Sequence, residues 1–164
     1  EEWHCDASDA YFPLPEEIKR HDRRVRMPVF WFTVQVALTD IERVEHGPTQ
    51  YVPGSHYSGR NPNDQENPKF EGNGPVSVFC QAGDIYLQDP MIWHRGAPNT
   101  SDRTRYLFQS QYADHWAYTR FNLYNRVPVD EDTLRASNDK LLNVLGRSRS
   151  IGKGPDTGYK STRS

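Results

Sequence analysis

The run PVFWFTVQVAL, residues 28–38, restricts the folds open to this chain more than any other stretch. β-Branched and aromatic residues dominate it and no apolar position recurs at helical spacing, so it reads as a buried strand. Shorter runs of the same kind follow: TQYVP (49–53), VSVFCQ (76–81), DIYLQ (84–88), MIWH (91–94) and RYLFQSQYA (105–113). Clusters of Gly, Pro, Asn and Asp between them read as turns. Many short strands at close spacing predict a mostly β fold, a sandwich, jelly roll or barrel, and argue against parallel βαβ units.

Two stretches read as helices. PEEIKRHD (15–22) has Pro at its start and acids in its first turn; VDEDTLRASNDKLLNVLG (129–146) is acidic in front and stops at Gly146. In the second, Leu134, Leu141, Leu142 and Leu145 form a stripe suited to covering one sheet face. The segment GRNPNDQENPKFEGNGP (59–75) is polar and rich in Pro, Asn and Gly, which predicts a mobile surface loop, either a lid or a plain excursion. Beyond residue 146 the chain carries Arg147, Arg149, Lys153, Lys160 and Arg163 against Asp156, and reads as a basic, flexible tail. The expected organisation is one domain over 1–146 and a tail over 147–164.

A formal net charge of -2 supplies no general attraction for nucleic acid or an anionic membrane surface, so a partner has to be argued from a site. Cys5 and Cys80 form no CxxC pair and read as free thiols of a reducing compartment. No apolar run reaches the roughly 20 residues of a membrane span and no secretory leader opens the chain, so a cytoplasmic location is expected.

The chemistry starts at WHCDAS (3–8). In a strand, residues two apart share a face, so His4 and Asp6 project together while Cys5 projects away. Two imidazoles and one carboxylate on a common face, with coordination positions left open, suit a non-haem Fe(II) centre. His21, His46 and His56 read as surface or turn residues. His94 closes the apolar QDPMIWH, ahead of the turn-rich RGAPNTSD and a strand that opens with Arg105. Alone, an HxD pair is more often an ordinary polar pair than a metal site. Arg105 adds a planar fork that matches a carboxylate bidentately; its ordinary alternative is a surface salt bridge, the preferred reading for Arg103. Strand alternation places Arg105, Leu107, Gln109 and Gln111 on one face, where Gln109 either reaches a substrate or is satisfied by backbone. Tyr11 and Arg95 are further candidates for bordering a substrate.

WHCDA at the front, HGPTQYVPGSH (46–56), QAGDIYLQDPMIWHRGAPNTSDRTRY (81–106) and the late LLNVLG together resemble the phytanoyl-CoA dioxygenase family of Fe(II)- and 2-oxoglutarate-dependent oxygenases. The resemblance runs in order over residues 1–146. It implies a double-stranded β-helix (a cupin-like jelly roll) with flanking helices, and an iron held by His4, Asp6 and His94. It also implies that Arg105 pairs with the far carboxylate of 2-oxoglutarate, that Thr49 hydrogen-bonds the same co-substrate, and that O2 oxidises a small organic molecule as 2-oxoglutarate becomes succinate and CO2.

Departures from the family pattern bear on the pocket. Gly96 stands where some members have Ser, Val36 where some have Trp, and Glu1, Glu2 and Trp3 where some have Gln. Asp6 retains the carboxylate that related halogenases lack, which favours hydroxylation or a related oxidation. Members usually carry a long segment before the HxD strand, so the resemblance implies an N-terminally truncated jelly roll with an unpaired edge. Two other readings stay open: a cupin-like metalloenzyme that does not use 2-oxoglutarate, and a catalytically silent binding module.

Overall fold

The computed structural model describes residues 2–7, 13–113 and 129–144. Glu1–Tyr112 form one compact unit and Ala113–Ser164 a second. The described elements are mostly β: β1 (Trp31–Ala37), β2 (Thr49–Tyr51), β3 (Val76–Ser77), β4 (Ile85–Gln88), β5 (His94–Gly96) and β6 (Leu107–Ala113). A short 3-10 turn, Ser55–Tyr57, follows β2, and two helices, α1 (Glu131–Ala136) and α2 (Asp139–Val144), lie in the second unit. The strands form two three-stranded sheets, ordered β4-β1-β6 and β3-β2-β5, and among the described residues these do not close into a barrel.

The run 28–38 supplies β1, at the centre of its sheet, antiparallel to β4 with Thr33 opposite Gln88 and Gln35 opposite Tyr86. Its burial corrects the expectation of a strand buried throughout, since only one face is enclosed. Thr33, Gln35 and Ala37 are buried, whereas Phe32 is exposed and stacks on Tyr112 at 5.6 Å between ring centroids. Ile85, Leu87 and Phe108 are exposed as well. The enclosed face of this sheet is the polar one, and the reason is the cavity it lines.

In the second sheet, β2 runs antiparallel to β5, with Tyr51 opposite His94, Gln50 opposite Arg95 and Thr49 opposite Gly96. The strand expected at 91–94 begins only at His94, because Asp89 draws the preceding residues into a turn. Its side chain accepts from the Met91 amide at 2.8 Å and its carbonyl from the Ile92 amide at 3.2 Å. Beneath the sheet Trp3, Cys5, Val52, Phe70 and Trp93 form a buried cluster, with Tyr57 packed against it. Full burial of such side chains stabilises the fold by about 1.5–3 kcal/mol each.

Three expectations are corrected. Residues 15–22 form turns and no helix. Arg60 takes the carbonyls that a helix would use internally, binding those of Pro15, Glu16 and Ile18, and the His21 amide donates to the Tyr57 carbonyl at 2.8 Å. The polar segment 59–75 is a brace, since Pro68 and Phe70 are buried and its side chains grip the strand carrying His4. The helix expected over 129–146 is broken at Ser137 and Asn138. Asp130 caps α1 by accepting from the Thr133 amide at 2.8 Å, Ser137 is extended, and Asn138 accepts from the Leu141 amide at 2.9 Å. Short polar side chains offer the backbone such local partners and so interrupt helices. Of the leucine stripe Leu142 is buried and Leu141 exposed, while Leu145 lies outside the described residues.

Candidate metal centre and its cavity

His4 enters the site as an added strand on the edge of β5. Its amide donates to the His94 carbonyl at 3.1 Å and the His94 amide donates back at 2.8 Å. On its other side the same segment is gripped by the brace. The Trp3 amide donates to Gln65 Oε1 at 2.8 Å, Gln65 Nε2 returns a bond to the Trp3 carbonyl at 3.0 Å, and the Cys5 amide donates to Asn61 Oδ1 at 2.8 Å. The backbone of this short segment is therefore bonded on both sides, and its register against β5 is fixed.

One ligand atom from each of His4, Asp6 and His94 lies within 4.8 Å of the others. The tautomers suit a cation. His4 Nδ1 is 2.9 Å from the Glu2 carbonyl and His94 Nδ1 is 2.9 Å from the Ile92 carbonyl. An N–H on Nδ1 is what each carbonyl can accept, and in the neutral ring that leaves the Nε2 lone pair for a cation. Each Nε2 is 3.7 Å from Asp6 Oδ1. Two imidazole Nε2 atoms beside a carboxylate form a donor set that fits a divalent first-row metal.

Gln88, at the end of β4, stands against this group. Its Nε2 is 2.9 Å from His94 Nε2 and 3.4 Å from Asp6 Oδ2, and its Oε1 accepts from Tyr51 Oη and from Gln35 Nε2, each at 2.9 Å. Burial holds the Tyr51 phenol well above the ordinary tyrosine range, with the neighbouring Tyr86 and Asp6 adding to the shift. Tyr51 is therefore a permanent donor to Gln88. Burial also raises Tyr86, partly offset by its 2.9 Å hydrogen bond with Thr49 Oγ1.

A cavity of about 250 Å³ opens over the triad. Leu107, Gln109 and Gln111 line it from one face of β6, as strand alternation predicts, Arg105 lines it from just ahead of that strand, and Thr49, Arg95 and Gly96 line it from the second sheet. Arg105 is half-buried and donates from Nη1 to the Gly47 carbonyl, which departs from the surface salt bridge that was its alternative. Gly47 has φ of +67°, and a Cβ there would meet the Ala97 carbonyl oxygen and Asn99 Cβ at 3.0 Å. Arg103 does make an exposed ion pair, 3.9 Å from Glu42. Arg95 is clamped, donating to Gln50 Oε1 at 2.9 Å with its guanidinium 4.8 Å from the centre of the Trp3 ring.

His46 is buried in its turn and not at the surface, taking a hydrogen bond from Arg43 Nε at 3.0 Å. Tyr11 and the basic tail lie outside the described residues. Sequence reasoning passed over Gln35, Tyr51 and Gln88. The available signal was the Gln at an inward position of both β1 and β4, where a buried strand would carry an aliphatic residue.

The chain is similar to several solved structures. It matches AviO1 from Streptomyces viridochromogenes Tue57 at 26% identity, covering 58% of this chain and 42% of that one, with a TM-score of 0.43. It matches the non-haem α-ketoglutarate-dependent epimerase SnoN from nogalamycin biosynthesis at 27%, covering 69% and 38%, with a TM-score of 0.46. HygX from Streptomyces hygroscopicus, solved with nickel and 2-oxoglutarate bound, matches at 24%, covering 57% and 39%, with a TM-score of 0.43. The chain thus spans less than half the length of each. The described residues include no helix long and apolar enough to cross a membrane. The family model for phytanoyl-CoA dioxygenase matches residues 1–107, more than half the chain and a stretch that holds the HxD pair, Thr49, His94 and Arg105. By that match the chain belongs to the phytanoyl-CoA dioxygenase (PhyH) family.

Proposed function

We propose that this chain carries the iron and 2-oxoglutarate site of a dioxygenase that hydroxylates, or otherwise oxidises, an unactivated C–H bond of a small organic molecule. The observation that carries the proposal is the convergence of His4 Nε2, His94 Nε2 and Asp6 Oδ1 within one cavity that Arg105 also lines. His4, Asp6 and His94 would hold Fe(II). Once bound, iron and O2 supply the oxidising chemistry, with 2-oxoglutarate converted to succinate and CO2.

The remaining work falls to the chain's own side chains. Arg105 offers five N–H donors and the Gly47 carbonyl takes one, so a fork remains for the far carboxylate of 2-oxoglutarate. Thr49, in the same cavity wall, would add its hydroxyl. For a cation to reach His94 Nε2, Gln88 Nε2 has to give up that lone pair, and Asp6 Oδ2 is the acceptor beside it. A hydrogen bond to Oδ2 would hold the carboxylate with Oδ1 turned to the metal. Tyr51 and Gln35 keep Gln88 in place while it makes that exchange. Arg95, Gln109 and Tyr11 are the proposed substrate neighbours.

Anaerobic addition of Fe(II) and 2-oxoglutarate should produce a weak visible charge-transfer band, and admission of air should produce succinate. Folded protein giving neither would sink the proposal. Arg105→Ala should sharply raise the 2-oxoglutarate concentration required; unchanged behaviour would favour a cupin-like metalloenzyme independent of that co-substrate.

A further inference from the structure

We propose that Asn61 and Gln65 are positioning residues of the metal centre, their side-chain amides standing in for a neighbouring strand along residues 3–5 and holding His4 and Asp6 where one cation can take both; this rests on the metal-site reading above. His4 and His94 exchange reciprocal backbone hydrogen bonds. In such an antiparallel pair the N–H and C=O of each residue face its partner, so those of the flanking Trp3 and Cys5 face away from β5. Trp3 and Cys5 are buried, and peptide groups left unpaired there are costly.

The brace supplies what a further strand would. The Trp3 amide donates to Gln65 Oε1 at 2.8 Å and Gln65 Nε2 donates to the Trp3 carbonyl at 3.0 Å, so one carboxamide meets both backbone groups of Trp3, as an opposing residue does in a ladder. Gln65 Nε2 also reaches the Pro62 carbonyl at 3.3 Å, which orients the amide. The Cys5 amide donates to Asn61 Oδ1 at 2.8 Å, a contact that uses only an acceptor. Asp6 lies in the turn that follows, so its carboxylate is carried by the placing of Cys5. The residue before Asn61 ties in the other histidine: the Arg60 carbonyl accepts from Trp93 Nε1 at 2.6 Å, and Trp93 precedes His94. Residues 60 and 61 thus fasten the chain neighbours of His4, Asp6 and His94 to one short stretch. That stretch belongs to an element anchored by packing, since Pro68 is fully buried and Phe70 sits edge-on to Trp93 at 5.6 Å between ring centroids. A site of this kind needs its ligands held to within about 0.5 Å, which a rigid brace gives to a segment added at a sheet edge.

The test is titration of the full chain with Co(II), whose visible absorption reports the ligand set as well as the affinity, beside amide exchange of the metal-free protein. Gln65 is exposed and Asn61 half-buried, so substitutions there leave the core closed. Gln65→Leu and Asn61→Leu should each bind Co(II) about tenfold more weakly, the low end of the loss known for partners that orient metal ligands. Each should also show an altered absorption band at saturation and faster exchange of the amide it had held, Trp3 or Cys5. The two positions differ in what a charged replacement does. Asn61→Asp keeps the acceptor and should bind as the wild type does, whereas Gln65→Glu lacks the donor and should behave as Gln65→Leu. Leu variants with a lowered denaturant midpoint but unchanged Co(II) affinity and band would make the brace merely structural and overturn the inference. So would an Asn61→Asp variant as impaired as Asn61→Leu. Should a Leu variant fail to fold, the wild type carries the test, because linkage is reciprocal: saturating Zn(II) should slow exchange of the Trp3 and Cys5 amides by about tenfold, and unchanged exchange overturns the inference. A wild type that gives no Co(II) band defeats the functional proposal itself, whereas wild-type behaviour in the Leu variants defeats this inference alone.

Discussion

His4 and His94 are direct antiparallel partners, joined by reciprocal backbone hydrogen bonds of 3.1 and 2.8 Å with their ring centroids 4.4 Å apart. The spacing of the two imidazoles is thus set by main-chain pairing, not by the side chains themselves. His94→Ala should keep the fold and lose the metal. Calorimetric titration with Mn(II) or Co(II) should show affinity lower by at least about 100-fold, the upper range for loss of even an outer-sphere partner. Cation at a hundred times its dissociation constant should stabilise the wild type by about 2.7 kcal/mol against denaturant and leave the variant unmoved. A variant equally stabilised would show that the cation binds elsewhere.

Gln88 Nε2 lies 2.9 Å from His94 Nε2 and 3.4 Å from Asp6 Oδ2. On the proposed reading, a cation on His94 would leave Gln88 to donate to the Asp6 carboxylate, the stronger acceptor. Gln88→Leu should therefore weaken Co(II) binding by about tenfold, within the range known for outer-sphere partners. Tighter binding in the variant would mean that Gln88 acts mainly as a competitor for His94.

Gly47 joins backbone geometry to the placing of Arg105, the proposed anchor of 2-oxoglutarate. Its φ of +67° and the 3.0 Å contacts a Cβ would make leave little room for alanine, and its carbonyl holds Arg105. Gly47→Ala should cost about 1–3 kcal/mol in denaturant unfolding, as expected for a side chain forced into the left-handed region. It should also weaken 2-oxoglutarate binding with little change in cation affinity. An equal loss of both would point to general collapse of the site.

Burial raises the phenols of Tyr51 and Tyr86 above their unfolded value of about 10. A group whose folded pKa is raised stabilises the fold in full below the unfolded pKa and loses that contribution as pH climbs towards the folded one. Stability should be level on this account through neutral pH and fall above about pH 10. Denaturant midpoints for wild type and Tyr51→Phe measured on either side of that point check the assignment: the variant should lose less than the wild type on passing into alkali. Parallel curves would remove Tyr51 as a source.

What the sequence determined by itself was whatever depends on neighbours in the chain. Residues two apart in a strand share a face, so the pairing of His4 with Asp6 and the row from Arg105 to Gln111 were legible from spacing alone. The punctuated β rhythm was legible for the same reason. Tertiary structure decided the features whose partners lie far along the chain. Residues 15–22 are not helical because Arg60 binds their carbonyls, and the segment 59–75 is a brace because Asn61 and Gln65 meet the amides of Cys5 and Trp3. The polar interior of β1 is the clearest case. Whether Gln35 is an exposed amide or a buried one depends on which face of the sheet encloses the cavity, and that is set by Gln88, 53 positions away, bound in turn to Tyr51 and His94. Periodicity assigns residues to opposite faces, but only packing selects the face that becomes the inside.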